Sequence, residues 1–186
     1  MKTMNFLASV VFGLFLSGCA VVQSDKAIGE KAVTVNADDW DGVWTFNGGA
    51  LNAVVVDKDK GLLEIALVER KDGKFEMNTY RVGIMKQDDA IIANLEDPNE
   101  KGKFSFGRIS INPDEIIVWI PNFARFKELL EKNKLPGIMV DEHKILLEKL
   151  GAEHMKIIAD VYDGSIFSLD NPIVLKRYVK IKYSEK

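Results

Sequence analysis

The chain has 186 residues, 47% of them hydrophobic, with 28 acidic side chains against 25 basic ones, one cysteine and two histidines. That length predicts one domain, and the apolar fraction is enough for a packed core. A mildly negative balance with no clustered basic face argues against nucleic acid as a partner, and a single cysteine excludes an internal disulfide.

The chain opens with a segment unlike the rest. Lys2 supplies a positive start, Phe6 to Phe15 is almost wholly apolar, and the small residues Ser17 and Gly18 lead to Cys19. A basic end, an apolar middle and a small-residue cleavage zone make a secretory signal. The apolar run is shorter than the about 20 residues a membrane-spanning helix needs. The tetrad Leu16-Ser17-Gly18-Cys19 resembles the lipobox of bacterial lipoproteins. That resemblance implies that residues 1–18 are a signal peptide and that Cys19 is acylated and becomes the new N-terminus, so that the membrane is a partner through its lipid. Stable anchoring takes two or more acyl chains, which the family's modification supplies. Ala20 stands where an aspartate would hold an enterobacterial lipoprotein at the inner membrane. The resemblance therefore implies the cell envelope, at the periplasmic face of the outer membrane. With Cys19 acylated, no thiol is left for catalysis or metal binding.

Residues 19–38 read as the lipidated N-terminus and a flexible tether, because Gln23, Ser24, Asp25, Lys26 and Gly29 follow neither helix nor strand periodicity. Val33 to Val35 has the composition of a short edge strand. Residues 39–186 then form a single β-rich globular domain. Trp44 and Phe46 alternate with Thr45 before Asn47-Gly48-Gly49 breaks the run, and Leu51 to Asp57 is apolar and β-branched. After the turn Asp57–Gly61, Leu63, Ile65 and Leu67 share one face of the run to Arg70. The Asp72-Gly73 pair favours a tight hairpin into Phe75–Met85, where Gly83 is a candidate bulge or bend. Ala90–Leu95, Phe104–Ile111 and Glu115–Ile120 follow, separated by polar turns. The apolar phase moves from Phe104 and Phe106 to Ile109 and Ile111, which predicts a bulge at Gly107. Short strands at regular spacing indicate an antiparallel meander.

The period changes after Pro121. Phe123, Phe126 and Leu130 make one helical stripe, Asn122 is placed as its N-cap, Glu128 and Lys132 pair at i,i+4, and Pro136-Gly137 ends it. Lys144 to Leu147 reads as a strand. Ala152 to Tyr162 reads as a second amphipathic helix, with Met155, Ile158, Ala159 and Tyr162 on one face. Ile173 to Tyr183 alternates as a last strand. The fold class is therefore mainly β with two helices (α+β): a meander curled into an eight-stranded barrel or half-barrel, with the helices inserted before the strand that closes it.

Gly42-Val43-Trp44 resembles the Gly-X-Trp signature of lipocalins. In that family the tryptophan closes the base of an eight-stranded barrel and a late basic residue packs across its ring. Arg177 lies in phase with Ile173, Leu175, Val179 and Ile181, and a charge on an apolar face needs a partner. Gly42, Trp44 and Arg177 are accordingly expected to form the structural closure. The resemblance covers the meander but not the helical segment, since the family's main helix follows its eighth strand.

The remaining polar groups carry little chemistry. Asp141-Glu142-His143 and His154 have no ligand spacing of a known metal site, and read as solvated residues at element ends. Asp38, Asp39 and Asp41 around Trp40 either offer a cation or sugar-edge site or lead into a strand, the second being the simpler reading. No nucleophile elbow, phosphate loop or zinc-protease helix is present. No cofactor, metal or catalytic residue is expected, and the chain does not read as an enzyme. What remains is a binding module whose aromatic residues, Trp44, Phe46, Tyr80, Phe104, Phe106 and Trp119, line a space for a small apolar or amphipathic ligand, with Thr79, Arg81 and Asn94 as polar anchors. The alternative is a structural or protein-interaction lipoprotein with a filled core and an envelope protein as partner.

Overall fold

The computed structural model describes residues 20–71, 74–160, 163 and 166–180. The signal segment, Cys19 and Tyr162 lie outside the described residues, as do residues 181–183 of the expected last strand. In chain order the elements are β1 (Val21–Ser24), β2 (Lys31–Ala32), α1 (Ala37–Trp40), β3 (Gly42–Phe46), β4 (Gly49–Asp57), β5 (Leu62–Lys71) and β6 (Lys74–Gln87). There follow β7 (Ala90–Glu96), β8 (Phe104–Asn112), β9 (Glu115–Trp119), α2 (Phe123–Glu131), β10 (Gly137–Asp141), β11 (Lys144–Leu147), α3 (Ala152–Ala159) and β12 (Ile173–Lys180).

Strands β3 to β9 pair antiparallel with their sequence neighbours, and β12 fits between β9 and β3, so eight strands close a barrel. The expected meander is present, and it is a full barrel. The last strand meets the first at Arg177↔Trp44 and Lys176↔Thr45. Closure removes the edges that an open sheet of this size would expose.

Alternate side chains of each strand fill the interior. Trp44, Leu51, Ala53, Leu63, Leu67, Tyr80, Val82, Ile84, Ile109, Ile116 and Leu175 form one buried cluster, joined by Trp40 of α1 and Val35 before it. A second core lies on the outer face of β7 and β8. There Ala90, Ile92 and Phe106 meet Phe126 and Leu129 of α2, Met155 and Ile158 of α3, and Ile145 and Leu147 of β11. The Phe106 and Phe126 rings sit edge to face, centroids 5.9 Å apart.

This second core explains the shift of apolar phase in β8. Registers run evenly through Gly107 and through Gly83, with no bulge at either. Phe106 faces the helices and Ile109 faces the barrel, so the strand is buried on both sides, and an apolar residue is in phase with one core or the other. The helices thus complete a core on the barrel's flank. α2 starts at the Asn122 cap, whose Oδ1 accepts from the Arg125 N–H at 3.3 Å. α3 ends at Ala159, short of the Tyr162 expected from the sequence.

Residues 20–38 are packed against the barrel, which corrects the expectation of a tether. β1 runs parallel to β11, from Val21↔Lys144 to Ser24↔Leu147, and antiparallel to the start of β8 at Gln23↔Ser105 and Ser24↔Phe104. β9 pairs only with Arg108 to Asn112 of β8, so β1 fills the edge that β9 leaves free. Likewise β2 covers Met85 and Lys86 of β6 beyond the reach of β5. The expected edge strand at Val33–Val35 lies one step late; those residues instead donate backbone N–H groups to the Ile84 and Lys58 carbonyls at 3.0 and 3.1 Å. Gly29, at φ +118°, leaves room for Met85, whose Cβ lies 2.6 Å from where a side chain would start. Ile28 is fully buried, and Asn94 holds it by both backbone groups, at 2.6 Å from its N–H and 3.0 Å to its carbonyl. A segment this short and polar shows no period because its buried residues answer to three separate partners.

Candidate ligand-binding site

One end of the barrel interior is closed by a built polar plug. Gly42 opens β3 at φ +139°, a backbone conformation that favours glycine. Two residues on, Trp44 turns fully inward and its indole N–H donates to the Trp40 carbonyl at 2.9 Å. The Arg177 guanidinium carbon lies 4.2 Å from the centroid of that ring. Its three nitrogens donate to backbone carbonyls: Nε to Pro113 at 2.9 Å, Nη1 to Asp41 at 3.1 Å, and Nη2 to Asp39. A buried cation is tolerable when its donors are satisfied and a π face lies beneath it. The acidic lead-in acts here through its backbone, while the buried Asp41 carboxylate accepts from the Val55 N–H at 2.7 Å.

Beyond the plug the barrel holds a cavity of about 100 Å³. Its walls are almost wholly aliphatic and aromatic, including Trp44, Leu63, Leu67, Tyr80, Leu95 and Leu175, with Ser105 among them. An apolar wall with few polar groups is the composition of a small-molecule pocket.

The six aromatic residues expected to line this space divide. Trp44 and Tyr80 do line it. Phe106 borders it, but its ring belongs to the second core. Phe46 is partly buried and folds over Gly49 at the edge of the cluster. Phe104 points outward opposite Glu96. Trp119 also points outward, beneath the Arg108 guanidinium at 5.6 Å. Since residues two apart share a face, the inward positions on β9 are Ile116 and Val118 and on β8 are Ser105, Gly107 and Ile109. Of the three expected polar anchors, Thr79 and Arg81 are exposed and Asn94 faces the N-terminal segment. On β7, Ile91, Ala93 and Leu95 face the barrel core while Ala90 and Ile92 in the opposite phase face the second core, so the apolar pattern alone does not mark the inward face.

The histidines do not come together. His143 is exposed in the β10–β11 turn, 3.4 Å from Glu142. His154 Nδ1 accepts from the Gly151 N–H at 2.8 Å and so caps α3. Among the described residues no helix is long and apolar enough to cross a membrane.

The fold and its interior define an up-and-down antiparallel barrel with an apolar cavity. No protein family, curated protein or solved structure matches the chain.

Proposed function

We propose that this chain is a membrane-anchored lipoprotein of the cell envelope whose lipocalin-like barrel holds a small apolar ligand without altering it. The observation that carries the reading is the apolar cavity closed at one end by Trp44 and Arg177. An engineered apolar cavity of about 150 Å³ stays dry and takes up benzene. A space of about 100 Å³ therefore suits a molecule of a few carbons or the end of an acyl chain, and not a whole amphiphile. The tetrad ending in Cys19 supports the anchor, and Ala20 supports the outer membrane. Cys19→Ser should move the protein out of the membrane fraction; unchanged detergent partitioning would refute the anchor.

The same dimension favours a second reading, in which the barrel is a filled core and the protein a structural or interaction lipoprotein, because ligand pockets usually run from about 300 Å³ upward. Titration with a fluorescent fatty-acid probe, alongside the variant Ala53→Leu, separates the two. Ala53 lines the cavity. Binding predicts a saturable signal that Ala53→Leu abolishes while the domain stays folded. A filled core predicts no signal, and a loss of about 1–3 kcal/mol from overpacking.

A further inference from the structure

β10 is the outer strand of the small sheet β10-β11-β1 that leaves the barrel at β8. Its side chains Ile138, Met139 and Val140 are 51%, 38% and 48% exposed. Neighbouring residues on a strand point to opposite faces, so this edge presents apolar surface on both. Edge strands are usually guarded by charge, proline or a bulge. No charge or proline interrupts residues 138–140, but the register with β11 shifts between Met139 and Asp141. That bulge works against the regular hydrogen bonding a further strand would need. The surface therefore fits a partner that wets apolar side chains from both sides without directional bonds.

The topology also fixes where this edge sits. Val21 pairs with Lys144, Lys144 pairs with Asp141, and the Val21 N–H donates to the His143 carbonyl at 2.7 Å. Adjacent strands lie about 4.8 Å apart, which puts Val21 about 10 Å from the β10 edge. Ala20 alone separates Val21 from Cys19, and two residues of chain span at most about 7 Å.

We propose that Ile138, Met139 and Val140 form a membrane-contact surface, on which the anchored domain rests against the lipid in one orientation. This rests on the reading of Cys19 as acylated. Acyl chains on Cys19 bring the lipid surface within reach of β10 because no slack chain intervenes. The exposed Asp141 and Glu142 at the near end of the strand make a neutral lipid surface the better match than an anionic one.

The test uses the acylated protein in phosphatidylcholine vesicles with brominated acyl chains. An environment-sensitive fluorophore is attached through Met139→Cys, or through Asp59→Cys on the far side of the barrel. The label at 139 should shift to shorter wavelength and be quenched by bromine, and the label at 59 should do neither. Ile138→Ser combined with Val140→Ser should return the 139 label to aqueous emission while the protein still floats with the vesicles. If mass spectrometry finds no acyl group on Cys19, the anchoring reading falls and this proposal with it. If Cys19 is acylated and the two labels behave alike, only the membrane contact falls. An emission shift without bromine quenching that follows protein concentration would mean that a second copy covers β10, and also overturns the proposal.

Discussion

Arg177 shows how much one charged residue in an apolar phase reveals. A cation in an apolar alternation has to be there for a partner, and the sequence pointed to Trp44, 133 positions away, over whose ring the guanidinium lies. Its carbonyl partners Pro113, Asp39 and Asp41 were not legible, since backbone acceptors leave no mark on residue type. Arg177→Ala should lower stability by about 3 kcal/mol, through the desolvated cation–π contact and the carbonyls left without donors. Urea unfolding measures this, and a change within about 0.5 kcal/mol would put Arg177 among ordinary surface positions. Asn94 is the opposite case, a polar residue whose neighbours suggested a ligand anchor and whose partner is the chain itself. Asn94→Ala leaves the buried Ile28 N–H and carbonyl unpaired at a cost of roughly 2–4 kcal/mol. Hydrogen exchange at the Ile28 amide should accelerate well beyond that at Trp44.

At the scale of elements, the meander was readable because each hairpin is local and its alternation answers to one core. The strands that face two cores were readable as strands, but not which of their faces lines the barrel, and β10 escaped notice because its apolar residues are exposed on both faces. Helices α2 and α3 were legible from their stripes and the short α1 was not, and the destination of the two was hidden because an apolar stripe does not say which surface it covers. Phe126, fully buried against Phe106, anchors that packing, and Phe126→Ala should cost about 3–5 kcal/mol. The surface of α2 has a weaker, pH-dependent tie. Lys132 at 2.5 Å and Arg125 at 2.8 Å hold the Glu128 carboxyl below its usual value of 4.5, the hydrogen bond from Lys132 being the larger cause. A carboxyl depressed by folding contributes stability above its unfolded value and loses it as pH falls through the folded one. The stability gap between the parent and Glu128→Gln should therefore be present at pH 7 and shrink below about pH 4.5, and it should be small because the pair is exposed and screened. A gap that widens in acid would contradict this.

For the molecule as a whole, the N-terminal segment is a structural part of the domain. A chain shortened to begin at Glu30 would leave the start of β8 and one side of β11 without their partner and remove Ile28 from the second core. It should unfold at markedly lower urea concentration, whereas a free tether could be removed without effect. The pairing of β1 with β11 also orders events in time. Contacts such as that of Asp25 with Lys149 join positions 124 apart in the sequence, and distant contacts form late because the intervening loop must first be closed. The hairpins from β3 to β9 have no such wait, but β12 closes the ring only once the last part of the chain is present. During synthesis the first strand to emerge is thus among the last to find its place. Until then Val21 to Ser24 lack the strands that flank them, and their docking afterwards withdraws Val22, Gln23 and Ser24 from solvent.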